Sequence, residues 1–416
     1  MRIAIVGSGI SGLTAAYLLN KKHDITLFEA ADRLGGHTAT VDVEEGDRRL
    51  AIDTGFIVFN DWTYPNFIKL MQQLGVDSQP TDMGFSVCSD RESFEYAGNN
   101  LDSLFAQRRN LLSPGHWRML RDIVRFNRAA VRDWRSGKLD DALSLGQYLR
   151  DNGYSEEFTN RYLVPMGSAI WSASMSQMLD FSMNFFVRFF FNHGLLNIFN
   201  RPQWRVIKGG SREYIGPMVK DFADRIRLST PVTSVIRGSD GVTLRTGAGE
   251  ALDFDAVVLA CHSDQALACL DAPTTAEREL LGAIPYAANS VVLHTDTRLL
   301  PERRRSWASW NYRLQGDSDR LPVLTYNMNI LQRLDSEQTY CVTLNADDMI
   351  DPDKVIRRFE YAHPQFSVAG MQAQKQWEAV NGQNYTWFCG AYWHNGFHED
   401  GVNSALRVAQ AFGVTL

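Results

Sequence analysis

The first 29 residues set out a strand, a glycine turn, a helix, a second strand and an acid, and this order constrains the fold more than any other feature. Ile3-Ala4-Ile5-Val6 is a short β-branched run suited to a buried parallel strand. Gly7-Ser8-Gly9-Ile10-Ser11-Gly12 follows at once; Leu13 to Asn20 reads as a helix, and Ile25 to Phe28 as a second strand ending on Glu29. Each type has a physical task. Gly7 permits the tight turn off the strand, Gly9 lets backbone approach a pyrophosphate with no Cβ in the way, and Gly12 lets the helix pack close to the sheet. The helix start, at Ile10 and Ser11, turns unpaired N–H groups and partial positive charge toward the phosphates. Glu29 can accept from ribose hydroxyls and disfavours a 2′-phosphate. The fold class this predicts is α/β, with a Rossmann-type dinucleotide-binding domain.

Composition excludes several other classes. The chain has 416 residues, enough for two or three cooperating units. A net charge of −6 argues against a nucleic-acid partner. Cys88, Cys261, Cys269, Cys341 and Cys389 are scattered and odd in number, which predicts buried thiols rather than a disulfide frame or a zinc site, and no metal is expected. No run of 18 uncharged apolar residues occurs; Phe185 to Phe199 is shorter and contains Arg188 and His193. The chain opens directly on a strand, with no leader stretch before it, so cytoplasm is the expected location.

Glu29-Ala30-Ala31-Asp32-Arg33-Leu34-Gly35-Gly36-His37-Thr38 resembles the E-x-x-x-R-x-G-G segment of the flavin-containing amine oxidase superfamily, which includes monoamine oxidases, protoporphyrinogen oxidases and carotenoid desaturases. The resemblance implies FAD, bound noncovalently, with Arg33 and the glycine pair Gly35-Gly36 along its phosphates and ribityl chain. Asp53-Thr54-Gly55-Phe56 resembles the family's D-x-G segment beside the isoalloxazine. Trp204 to Ser211 resembles its G-G segment, and the resemblance places Val232 against the adenine side. Phe388-Cys389-Gly390 with Asp400-Gly401-Val402 resembles the closing motif, where a helix starting near Gly401 would face the flavin and stabilise its reduced anion.

On this reading the FAD domain is discontinuous, formed by 1–61, 200–282 and 384–416. It is interrupted by a mainly helical part of the substrate domain at 62–199 and a sheet-containing part at 283–383, giving an amine oxidase-like α+β substrate domain. Three departures from the family stand out. No lysine occurs on Ala288-Asn289-Ser290-Val291, where amine oxidases often place one near flavin N5. Ala391-Tyr392 replaces an acidic pair, and the two-tyrosine cage is not reproduced, with Phe397 or His398 near one of its positions. No catalytic residue is assigned, although His394, His398 and Tyr392 are candidates for moving a proton.

Two stretches bear on the substrate. Phe181 to Phe191 concentrates aromatics, as either a cavity wall or a core helix. Arg118, Arg121, Arg125, Arg128, Arg132 and Arg135 recur at helical spacing and form one stripe, either a solvated face or a peripheral contact with an anionic lipid surface on the inner face of the membrane. Further similarity, at His294-Thr295-Asp296 and Trp307 to Tyr312, is to a bacterial branch associated with modified fatty acyl chains. The leading expectation is therefore an FAD-dependent dehydrogenase or desaturase that takes a hydride from an apolar, lipid-like small molecule and passes electrons to an acceptor the sequence does not name. An amine or amino-acid oxidase is the second reading, and a non-catalytic escort-type binding protein the third.

Overall fold

The computed structural model describes residues 1–416. A five-stranded sheet lies at its centre, in the order Ile226–Arg227, Asp24–Phe28, Arg2–Val6, Ala256–Leu259 and Thr386–Phe388, with every neighbouring pair parallel. Parallel strands need cover on both faces, and these are correspondingly apolar: Ile3, Ala4, Ile5, Val257, Val258 and Leu259 are fully buried. The cover includes the first helix, Ile10–Leu19, and the closing helix, His398–Ala411, which cross at close range. A three-stranded antiparallel sheet, Val232–Arg237, Val242–Thr246 and Ala251–Phe254, forms the crossover before the fourth strand.

The second large sheet has seven strands, in the order Val355–Pro364, Tyr286–His294, Cys341–Leu344, Val323–Asn327, Trp310–Arg313, Phe85–Ser89 and Phe94–Ala97. All pairs are antiparallel except Trp310–Arg313 with Phe85–Ser89. The hairpin 85–97 therefore belongs to this sheet and not with the helices of 62–199. Its register sets Phe85 opposite Trp310 and Cys88 opposite Arg313, a pairing across more than two hundred residues that no local pattern announces.

The boundary at residue 61 also shifts. Pro65–Leu74 packs Phe67, Leu70 and Met71 into the core of the parallel-sheet unit. Its N-terminal groups are capped from the closing helix: Asn66 N and Phe67 N donate to Glu399 at 3.1 and 2.8 Å. Burying three such side chains contributes about 1.5–3 kcal/mol each.

The remaining helices pack around a separate aromatic core. Met183–Asn192 buries Phe185, Phe186, Phe189 and Phe190 against Trp171, with ring centroids 5.5, 6.1, 4.7 and 6.3 Å away. The aromatic run is thus a core helix. The arginine stripe lies on Pro114–Arg135, which starts at the Ser113 cap. Much of it is engaged locally: Arg118 with Glu157, Arg125 with Asp122 and the carbonyls of Asn152 and Gly153, Arg132 with Asp133. No helix is long and apolar enough to cross a membrane.

Candidate functional site

The glycine turn builds the first wall. Gly7 has φ +101°, and its N–H donates to the Phe28 carbonyl at 2.8 Å, tying the turn to the second strand. A Cβ on Gly12 would stand 1.9 Å from the Gly7 oxygen, so the helix could not approach the strand with any other residue there. At Gly9 a Cβ would meet nothing within 4 Å: that face is open space. Gly9 is also the N-cap of the first helix and supplies no side-chain acceptor to the N–H groups of Ile10, Ser11 and Gly12. A bare, positively polarised helix end facing an opening fits a pyrophosphate.

Other segments converge on this end. Glu29 Oε2 accepts from Ser8 N and Oγ at 2.8 and 2.6 Å, and Oε1 accepts from Ala31 N at 2.8 Å, which fixes the carboxylate beside the turn. Ala30 is exposed next to it. Segment 227–230 runs alongside, with Thr230 N donating to the Glu29 carbonyl at 2.9 Å, and leads into Val232. Gly36, at φ +56°, packs so close that a Cβ on it would stand 3.2 Å from the Gly9 Cα. Arg33 closes the loop, donating from Nη2 to the Gly36 carbonyl at 2.9 Å and from Nη1 to the Thr38 carbonyl at 3.0 Å. Its guanidinium therefore braces the glycine pair as well as placing a positive charge there. A Cβ on Gly55 would lie 2.0 Å from the His37 oxygen, so Thr54-Gly55-Phe56 presses directly on the His37 segment. Phe56 N donates to that same oxygen at 2.8 Å.

The closing helix begins at His398, one turn earlier than the Gly401 start expected, and so Gly401 serves a different purpose. A Cβ there would come within 2.7 Å of Ile10 Cγ2 and 2.9 Å of Ser11 Oγ, so Gly401 permits the two helices to cross at the open end of the first. Val402 is fully buried behind it, and Asp400 accepts from Phe397 N at 2.9 Å. Burial raises the Asp400 carboxyl to about 7. Gly390 N donates to Ser404 Oγ at 2.8 Å, fastening the closing motif to the same helix.

Titratable groups gather where this frame meets the seven-stranded sheet. His398 is buried, stacked on Phe56 with centroids 3.5 Å apart, and shares Thr38 Oγ1 (3.0 Å) with Tyr214. Burial lowers it to about 3, so it is a hydrogen-bonding partner and too weak a base to carry a proton at neutral pH. The Tyr392 hydroxyl is enclosed without a partner and pushed far above its usual value, and His394 opens on a separate hollow with Asp141, Arg188 and Lys375.

Sequence reasoning missed a second cluster. His37, His262 and His363 come from the glycine loop, the end of the fourth parallel strand and the end of the longest antiparallel strand. The ring centroids of His262 and His363 lie 5.8 and 5.6 Å from that of His37, with Tyr361 at 5.0 Å. His262 stacks on Tyr286 at 4.4 Å, and His363 Nδ1 meets Ser172 Oγ at 2.9 Å and Asn289 Nδ2 at 3.4 Å. Burial holds all three rings neutral, and mutual repulsion lowers His37 further; His363 falls to about 4. His37 Nε2 is enclosed and has no partner. A polar residue just past a buried parallel strand was the available signal for His262. For His363 there was none. No cluster of His, Cys, Asp or Glu has the arrangement of a metal site.

The profile of the family described as flavin containing amine oxidoreductase matches residues 10–329. The flavin-containing monoamine oxidase AofH of Mycobacterium tuberculosis is 26% identical over 258 residues, covering 60% of this chain and 54% of that one. The chain thus spans about half the length of the curated relatives it matches. Among solved structures, a redesigned putrescine oxidase superposes with a TM-score of 0.70 at 16% identity, covering 99% of this chain and 98% of the other. A CLA-producing fatty acid isomerase from P. acnes gives 0.69 at 16% identity with the same coverage. At these identities the likeness is one of fold.

Proposed function

The chain belongs to the flavin-containing amine oxidoreductase family, and from that premise we propose that it is an FAD-dependent oxidoreductase taking a hydride from an apolar, acyl-type substrate. FAD, when bound, supplies the two-electron acceptor. The chain's own residues hold and shield it. Gly7, Gly9, Ile10, Ser11 and Gly12 receive the pyrophosphate on the bare helix end, and Glu29 takes the ribose. Arg33, Gly35, Gly36, His37 and Thr38 line the path onward with Thr54, Gly55 and Phe56, and Val232, Gly390, Asp400, Gly401 and Val402 complete the enclosure.

The observation that carries the substrate class is an aromatic wall. Phe397, immediately before the closing helix, stacks on Phe189 at 5.3 Å, and Phe366 stacks on Phe185 at 5.7 Å. Rings of the helical core therefore pack against the residue that leads into that helix. Such a wall excludes water and accepts a hydrocarbon chain. The strand Tyr286–His294 offers Asn289 and carries no lysine or arginine. Neutral His37, with one unpaired ring acceptor, can receive a hydrogen bond from a bound hydroxyl or N–H group.

A different feature favours an amine. A cavity of about 420 Å³ is lined by Trp62, Tyr64, His193, Asn395, Glu399 and Asp400, among others, with two carboxylates and no lysine or arginine. An ammonium group beside aromatic faces fits that lining. Anaerobic mixing of the FAD-loaded protein with acyl lipids, and separately with diamines and amino acids, decides between them. Bleaching of the visible flavin band by an acyl lipid alone supports the first reading. Bleaching by amines alone, with peroxide released in air, replaces it with the second.

A further inference from the structure

An exposed apolar patch lies well away from the frame. Leu112 is 88% exposed, Leu101 76%, Trp117 50% and Leu111 47%. They form one surface. Trp117 Nε1 donates to the Leu111 carbonyl at 2.9 Å, and the Trp117 ring lies 5.4 Å from Phe105. Arg108 bonds the Phe105 carbonyl at 3.0 Å and pairs with Asp102, the neighbour of Leu101. A monomer gains nothing by holding two consecutive leucines of a short helical turn, and the tryptophan of the helix that follows, in water.

The charge around the patch is one-sided. Arg108, Arg109, Arg118, Arg304 and Arg305 surround it; Asp102 is shared by Arg108 and Arg305 (3.4 Å), and Glu157 is paired with Arg118. Arg109 and Arg304 pair with no carboxylate: Arg109 reaches the Ser93 carbonyl, and Arg304 lies over the Trp307 ring at 5.5 Å. The exposed acids nearby include Asp102, which Arg108 and Arg305 share, and Glu302, which pairs with Arg303. This is local positive charge on a chain whose net charge is −6. Leucines and a tryptophan ringed by arginines match the boundary of an anionic bilayer, where apolar side chains enter the acyl region, Trp sits at headgroup level and guanidinium groups meet phosphates.

We propose that 101–117, with the Arg304-Arg305 turn beside it, is a membrane-docking element that seats on an anionic phospholipid surface. The contact lies at the N-terminal end of the arginine-rich helix and on the turn before it; of the later arginines, Arg121, Arg125, Arg132 and Arg135 are engaged within their own unit. Docking stands apart from the identity of the substrate, because it needs neither turnover nor a filled substrate site.

The test is co-sedimentation of the FAD-loaded protein with vesicles of phosphatidylcholine alone and of phosphatidylcholine with about one-third phosphatidylglycerol. The expected result is at least about tenfold more protein on the anionic vesicles, falling in high salt. The double variant Leu112→Glu, Trp117→Glu should lose that binding while keeping its flavin content and melting temperature. Arg109→Glu, at a side chain whose hydrogen-bond partner is the Ser93 carbonyl, should weaken binding on its own. Equal sedimentation with both vesicle types, or unchanged binding of the double variant, overturns the proposal. So does concentration-dependent self-association that the double variant abolishes, since a second copy would then be the occupant.

Discussion

Helix starts differ between the two halves of the molecule. In the helical unit, Asn100, Ser113, Ser144, Ser155, Ser174 and Ser182 each accept a backbone N–H from the helix they begin. In the parallel-sheet unit, the first helix starts at Gly9 and the closing helix at Phe397, and neither residue offers a side-chain acceptor to the N–H groups of the helix it begins. A serine or asparagine cap typically contributes about 1 kcal/mol, which both helices forgo. Where a helix only has to be stable, the chain supplies the oxygen itself. Where two helices meet over an opening, the chain supplies no such oxygen from the cap residue, which leaves the N–H groups for a phosphate or a flavin edge to complete on the proposed function.

The sharpest way to break this comparison is steric. Gly12→Val drives a side chain into the Gly7 carbonyl; it should cost about 4 kcal/mol or more and abolish flavin retention together with folding, read by thermal melting and the visible spectrum. If the variant melts like wild type, the close approach of helix and strand is not what defines the frame.

Next is the joint between the parallel-sheet unit and the seven-stranded sheet. Asp53 Oδ1 accepts from Thr40 Oγ1, Ser211 N and Ser211 Oγ at 2.6, 2.8 and 2.9 Å, and Oδ2 from Gln332 at 3.1 Å. Asp53→Ala strands these buried donors and should destabilise by about 3 kcal/mol in denaturant titration. A loss below about 1 kcal/mol would mean that the parallel-sheet unit and the seven-stranded sheet are joined elsewhere.

A pH titration of the melting temperature separates the buried bases from the buried acids. Burial lowers His193, His294 and His363 to about 4 and His398 to about 3, from an ordinary 6.5. Each takes a proton on unfolding before it does so folded, so stability is lost as pH falls from about 6.5 toward 4. Asp53, at about 6, and Asp400, at about 7, act oppositely: raised above 3.8, they bind protons first in the folded chain and add stability as pH falls. Four histidines outweigh two aspartates, and the expected outcome is a melting temperature that drops by several degrees between pH 6.5 and 5. A rise over that window would contradict the burial of the histidines.

The smallest effect belongs to the arginine stripe. Arg128→Gln should leave the melting temperature unchanged, because exposed charges contribute little.

What was legible in the sequence follows from how local each feature is. Strand, turn, helix and acid in the first 29 residues are set by neighbours, so residue type and spacing revealed them. The resemblance at Glu29 to Thr38 extended that reading to the flavin. The aromatic run declared a buried helix but not which side faced a cavity, because ring burial is the same in both cases. The 85–97 hairpin escaped, since its partner at 310–313 lies far along the chain. The His37, His262 and His363 cluster escaped for the same reason: three distant segments meet only once both sheets are in place.

The most direct test is flavin stoichiometry on purified wild type and Gly9→Val. A Cβ at this position meets no protein atom within 4 Å, so the side chain extends into the opening at the bare helix end. The account predicts one heat-releasable FAD per wild-type chain, and a variant that folds with an unchanged melting temperature in its flavin-free form yet binds FAD at least about tenfold more weakly. A wild-type protein that is colourless and stays so with added FAD, or a Gly9→Val variant that retains full flavin, would contradict it.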